Sequence, residues 1–166
     1  MDKTNPVNNY GKTKLLAEKY VKQYKNSMII RTNFFGPGYG FSFKFFDNII
    51  KNLKEKKKLY LFDDIYYTQI SLKRLSNIIN LSIKKKLIGI YNIAGNERIS
   101  KYRFGLKLAE IMGFDQKLII KDYFVNRNNL VFRPKDMSLN NNKIKKKLKI
   151  DLGDVADNII DYYSII

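Results

Sequence analysis

The sequence has no cysteine and no histidine, and each absence removes a class of chemistry. Without cysteine there is no disulfide framework, thiol nucleophile or thiolate metal site. Without histidine there is no Ser-His or Cys-His relay and no imidazole zinc ligand, so no metal centre is expected. Proton transfer must fall to Tyr, Lys, Asp, Glu, Ser or Thr. No window approaches the roughly 18 to 20 uninterrupted apolar residues of a membrane-spanning helix. The amino terminus, Met1-Asp2-Lys3-Thr4-Asn5-Pro6, lacks the apolar stretch of a signal peptide. A soluble, cytoplasmic protein with no membrane partner is expected. What is present, 166 residues with 45% hydrophobic and 14% aromatic side chains, suffices for one globular domain with an apolar core.

A formal net charge of +17 is the footprint expected of a nucleic-acid binder, with the lysine runs at residues 54–58, 84–86 and 143–149 as phosphate contacts. Composition argues against that reading. Lys occurs 26 times, Ile 22 and Asn 18, and all three have A/T-rich codons, so drift toward A/T raises them without selection for a polyanion. Arg, the better bidentate reader of bases and phosphates, occurs only 6 times. Lysine runs also suit solvated helix ends.

Hydrophobic spacing alternates helices with short strands. Residues 8–24 read as a first helix, with Pro6 upstream where proline is tolerated. Residues 27–35 read as one buried strand closed by a turn at Gly36-Pro37-Gly38-Tyr39-Gly40. A helix over 42–56, strands at 58–62 and 68–71, and a helix from Leu72 to Ile83 follow. Residues 89–94 read as a strand, and Ser100 caps a helix that Gly113 stops. The chain then gives a strand at 118–121, a turn at Arg133-Pro134 and helices over 140–148 and 154–163. There is no internal repeat and no linker, and the alternation argues for the α/β class.

Two glycine segments imitate phosphate-binding loops and fail on their mechanics. Gly11-Lys12-Thr13 ends like a P-loop, but Pro6 occupies the position of the required glycine and has no N–H to offer a phosphate. Gly36-Pro37-Gly38-Tyr39-Gly40 has Phe41 where a dinucleotide fingerprint needs its third glycine. A turn with left-handed glycines is the expected reading.

Tyr10 and Lys14 are the informative pair. Four residues apart on a helix, they share one face about a turn apart. An ammonium near a phenol favours the phenolate, giving a usable proton donor and acceptor. Alone, Y-x-x-x-K is a weak signal in a chain with 12 tyrosines.

Its surroundings sharpen it. Pro6-Val7-Asn8-Asn9-Tyr10-Gly11-Lys12-Thr13-Lys14-Leu15-Leu16-Ala17-Glu18 resembles the active-site helix of extended short-chain dehydrogenases/reductases, P-x-N-x-Y-G-x-S/T-K-x-x-x-E. Ile29 to Gly36 is similar to the family's next strand. Gly89-Ile90-Tyr91-Asn92-Ile93-Ala94-Gly95 resembles its G-x-Y-x-x-x-G segment, and Arg133-Pro134 with Ser138-Leu139 its R-P-x-x-x-S-L. The resemblance covers residues 6–148 and is nearest the dTDP-4-dehydrorhamnose reductase-like branch of nucleotide-sugar reductases. It implies a partial Rossmann-type fold: the carboxyl-terminal part of the parallel sheet plus the small substrate-binding region. It also implies NADP or NAD as cofactor and a nucleotide-sugar keto group as substrate. By that resemblance Tyr10 is the catalytic proton donor, and Lys14 lowers its pKa and binds the nicotinamide ribose. Thr32, Asn33 and Phe34 lie beside nicotinamide and sugar, and Arg133 faces the nucleotide diphosphate.

The sequence departs from the family where the cofactor is held. The strand, the G-x-x-G-x-x-G cradle, the residues selecting NADH or NADPH, and the Ser/Thr that polarises the carbonyl precede the active-site helix in the family and are absent here. The expectation is a single truncated reductase-like domain over residues 1–166, inactive alone, with the dinucleotide half supplied by a separate chain or a missing upstream segment. Strand 27–35 would then carry an exposed apolar edge prone to self-association. Two other readings compete: a non-catalytic, reductase-like binding or regulatory module, and the basic nucleic-acid binder.

Overall fold

The computed structural model describes residues 4–37, 45–127 and 132–163. Helix α1 (Asn9–Val21) begins where Asn8 accepts a hydrogen bond from the Gly11 N–H at 2.9 Å, satisfying one of the helix's orphan donors. The segment read as one strand at 27–35 is two. β1 (Met28–Arg31) pairs in parallel with β6 (Gly89–Asn92), whereas β2 (Phe34–Phe35) pairs in parallel with β5 (Ile70–Ser71). The break falls at Thr32-Asn33, where the Asn33 carbonyl still accepts from Ile70 N and the chain changes partner.

Helix α2 (Phe45–Lys54) leads to β3 (Leu59–Phe62), which pairs in parallel with β8 (Ile119–Asp122). The strand expected at 68–71 shrinks to β5, because the Thr68 hydroxyl turns aside to accept from Leu139 N at 3.0 Å. A hairpin-length pairing absent from the sequence reading, β4 (Tyr66–Tyr67) antiparallel to β7 (Ile99–Ser100), fills the space. Helices α3 (Leu72–Lys84), α4 (Lys101–Ile111), α5 (Asn142–Leu148) and α6 (Val155–Tyr163) fall within a few residues of expectation. Ser100 caps α4 by accepting from Arg103 N at 3.1 Å, and Gly113 ends it in the left-handed region at φ 70°.

The expected left-handed glycine at Gly36 is not found. A Cβ there would meet Leu72 Cβ at 2.9 Å, so this glycine serves the close approach of α3. Gly38, Tyr39, Gly40 and Phe41 lie outside the described residues. The lysine runs at 54–58 and 84–86 sit at helix ends, the run at 143–149 spans nearly all of α5 and its cap, and Lys56, Lys86 and Lys149 occupy left-handed positions after these helices.

Two apolar clusters hold these elements. One joins Phe35, Phe46, Ile49, Leu61, Phe104, Leu108, Ile119 and Ile159 among α2, β3, β8, α4 and α6. The other joins Ile70, Leu75, Ile78, Tyr91, Ile93, Ile144 and Leu152 beneath α3 and α5. Among the described residues no helix is long and apolar enough to cross a membrane.

Helix α1 stands apart, for it has no buried residue. Its tie to the sheet is the bidentate pair from Arg31 Nε and Nη2 to both carboxylate oxygens of Glu18, each at 2.7 Å. That hydrogen-bonded guanidinium holds the Glu18 carboxyl below its ordinary value of 4.5 against the opposing effect of burial. Because the folded value is depressed, the pair's stabilisation is complete above the ordinary glutamate range and lost as pH falls through the folded value. Glu18→Gln is expected to cost about 1–2 kcal/mol, or about 2–8 °C in Tm at neutral pH. Thermal melts of both proteins should converge in acid, and a difference that persists there would refute the assignment.

Candidate active site

The cleft beside β2 holds about 300 Å³. Its lining among the described residues comes from the end of β1 (Thr32, Asn33), β2 (Phe34, Phe35), the start of α2 (Phe45, Phe46), the β4–β5 stretch (Tyr67, Gln69) and the first residue of α4 (Lys101). Thr32, Asn33 and Phe34 thus all line this cleft. The Thr32 Oγ1 is buried without a hydrogen-bond partner, so one polar atom at the end of β1 is left for a ligand to satisfy. Asn33 commits its Nδ2 to the Met137 carbonyl at 2.7 Å, whereas Phe34 presents a half-exposed ring.

Arg133 is not among the cleft's lining residues, but a strap holds the chain that follows it against Tyr66, next to the lining residue Tyr67. Tyr66 N donates to Lys135 O at 2.8 Å, Met137 N donates to Tyr66 O at 2.9 Å, and the Arg98–Asp136 pair at 2.8 Å holds the far side. The Arg133 guanidinium consequently acts on two neighbours. Burial raises the Tyr67 hydroxyl's pKa against the lowering effect of that cation, and Arg133 joins burial in depressing Lys101. Among the described residues Arg133 makes no bond to a backbone carbonyl, so it does not simply tie local chain.

Tyr10 and Lys14 share one face of α1, outside the cleft lining. The Lys14 Nζ lies 5.4 Å from the Tyr10 ring centroid, over the ring, and Tyr10 is 72% exposed. The link between this helix and the cleft is Asn8, whose Nδ2 donates to the Phe132 carbonyl at 3.0 Å, one residue before Arg133. Gly11 permits that entry, since a Cβ there would meet Pro6 Cβ at 3.1 Å.

Sequence reasoning missed Phe45, Tyr67, Gln69 and Lys101. They come from separate elements joined by two-residue strands too short to show a period. One signal was available for Lys101. It opens α4, where the helix dipole favours an acidic residue and the first turn has none. Among the described residues no cluster of acidic side chains could hold a metal ion.

The chain matches the profile of the RmlD substrate binding domain over residues 1–164. Among solved structures it is similar to a dTDP-4-dehydrorhamnose reductase from Bacillus anthracis in complex with NADP, at 19% identity and a TM-score of 0.89, covering 100% of this chain and 58% of that one. It is also similar to a hypothetical dTDP-4-dehydrorhamnose reductase from Sulfolobus tokodaii, at 32% identity and a TM-score of 0.78, covering 92% of this chain and 52% of that one. A third, from Clostridium acetobutylicum, has 24% identity and a TM-score of 0.85, with 99% and 58% covered. None of the curated proteins matches it. The chain thus spans between 52% and 58% of the length of these structures. Its fold is the α/β architecture of part of a Rossmann-type extended reductase, and the chain belongs to the RmlD substrate binding domain family.

Proposed function

We propose that this chain is the active-site and substrate-binding part of an NAD(P)-dependent reductase acting on a keto group of a nucleotide-activated sugar. The observation that carries the reading is the flank formed by α1 and β1. Helix α1 bears Tyr10 and Lys14, buries nothing, and exposes Leu16, Tyr20 and Val21, with Val7 and Tyr24 exposed on either side of it. Beside it β1 pairs only with β6 among the described residues, leaving its other edge open. An unpaired parallel strand next to an uncovered apolar helix is the shape a further βα unit completes. In this reading a dinucleotide-binding half, on a separate chain or a further segment, docks there and brings the cofactor against Tyr10.

The residues present suit one end of that cofactor. Tyr10 and Lys14 offer a phenol and an ammonium to the nicotinamide ribose, and Thr32 Oγ1, after β1, offers an unsatisfied polar atom. No glycine-rich cradle for the pyrophosphate occurs in the sequence. The dinucleotide, when bound, supplies a hydride to the sugar carbonyl. Tyr10 then gives its phenolic proton to the carbonyl oxygen, and the Lys14 ammonium offsets the developing phenolate. Arg133 and the cleft behind Phe34 orient the sugar nucleotide.

The experiment is NADPH oxidation with dTDP-4-keto-6-deoxyhexose. The 166-residue chain alone is expected to give no turnover. Turnover is expected to appear when the chain is co-expressed with the portion of the Bacillus anthracis reductase that it does not span. Turnover by the chain alone would overturn its inactivity, and none in either case would overturn the reductase reading.

A further inference from the structure

Two side-chain ties join α1 to the rest of the chain among the described residues. Glu18 and Arg31 hold its carboxyl-terminal half, and Asn8 holds the end that carries Tyr10. The Asn8 amide does two things at once. Its Oδ1 accepts from Gly11 N at 2.9 Å, and its Nδ2 donates to Phe132 O at 3.0 Å. The partners fix which way the amide points, since a backbone N–H needs the oxygen and a carbonyl needs the NH2. The first bond serves the helix, and Ser, Thr or Asp would supply it as well. The second reaches across 124 residues of chain, and no helix cap requires it.

Phe132 begins a strap whose other anchors lie at the cleft. Tyr66 N donates to Lys135 O at 2.8 Å, and Met137 N to Tyr66 O at 2.9 Å. The cleft-lining Asn33 donates to Met137 O at 2.7 Å, and Leu139 N donates to Thr68 Oγ1 at 3.0 Å. Pro134 has a fixed φ and holds Arg133 extended, so little slack separates Phe132 from Lys135. One stiff segment therefore runs from the cleft wall to the cap of α1, two residues before Tyr10. With no buried residue, the helix has no core contact of its own to set where that end lies.

We propose that Asn8 is a positioning residue: its bond to Phe132 O holds the Tyr10 end of α1 in place against the strap that Asn33 and Tyr66 pin to the cleft. The benefit to Tyr10 rests on the reductase reading above, whereas the link between helix and strap does not.

The test separates the tie from the cap. Asn8→Asp keeps the shape and the acceptor for Gly11 N but has no hydrogen to give Phe132 O. In the 166-residue chain, the Met137 amide is expected to exchange with deuterium about fivefold faster in this variant. The Gly11 amide should keep its protection, as should Ile93 N, which donates to Arg31 O at 2.9 Å in the β1–β6 ladder. Asn8→Ser, a neutral cap with a side chain one atom shorter, should match Asn8→Asp and so exclude the added charge as the cause. Equal Met137 exchange in wild type and Asn8→Asp would overturn the proposal.

The second readout is a double-mutant cycle in the protein complemented with a dinucleotide-binding half. Asn8→Asp is expected to lower kcat about tenfold when Tyr10 is present, as a misplaced proton donor would, and to cost nothing further in the Tyr10→Phe background. A merely structural role would cost the same in both backgrounds, so additive losses would overturn the positioning role. No turnover by the complemented wild type, together with faster Met137 exchange in Asn8→Asp, would refute the reductase reading and uphold the link.

Discussion

Tyr10→Phe, in the protein complemented with a dinucleotide-binding half, is expected to lower kcat for NADPH-dependent keto-sugar reduction by about a thousandfold, within the roughly 10²- to 10⁴-fold that a positioned general acid contributes. The substitution removes one oxygen and little else. Tyr10 is 72% exposed on a helix with no buried residue, and the contact Lys14 makes is with the ring, at 5.4 Å, which phenylalanine keeps. The fold and the docking of α1 should therefore survive, so the loss should appear in kcat with KM for the sugar nucleotide little changed. Tyr60→Phe, at a 58% exposed position on β3, is the matched control and should leave kcat unaltered. If Tyr10→Phe turned over within about threefold of the parent, the phenol would carry no proton in the reaction. The non-catalytic binding module would then be the better reading of this chain.

The residues of this site differed in how far the sequence disclosed them, and the reason is geometric. Tyr10 and Lys14 were legible because both lie on one regular helix, where four-residue spacing fixes a shared face. The ends of α4 were legible from Ser100 and Gly113, whose capping roles depend on local backbone alone. Thr32, Asn33 and Phe34 were placed together because they are consecutive, yet the change of strand partner between Arg31 and Phe34 was hidden. Periodicity reports which side a residue faces, not which neighbour it pairs with. Arg133 was singled out by a short motif, but its approach to Tyr67 depends on the strap of residues 135–137 against Tyr66, a contact nearly 70 residues apart in the chain. Lys101 was overlooked among 26 lysines. What distinguishes it is a mismatch between its charge and its helix terminus, a test that composition bias cannot counterfeit.

Phe104→Ala is expected to have the largest effect on stability, about 3–5 kcal/mol, against a total of about 5–15 kcal/mol for a natural domain. Phe104 is fully buried on α4, and its ring meets Phe35 edge-on at 5.0 Å and Phe45 at 5.9 Å. Truncation would leave a ring-sized void where α4 packs on β3, β8 and α6. At about 2–4 °C per kcal/mol for a chain of this size, Tm should fall by roughly 10 °C. Ile83→Ala, at a 67% exposed position on α3, should move it by less than about 2 °C. The consequence reaches the cleft through Phe45, which packs on Phe104 with one face of its surroundings and stands 5.0 Å from the Lys101 ammonium with another. Well below its lowered Tm, the variant should therefore also bind thymidine diphosphate more weakly, although residue 104 touches no ligand. Melting within about 3 °C of the parent would show that the aromatic cluster does not anchor α4. A full loss of stability with unaltered thymidine diphosphate affinity would show that the Phe45 wall is positioned from elsewhere.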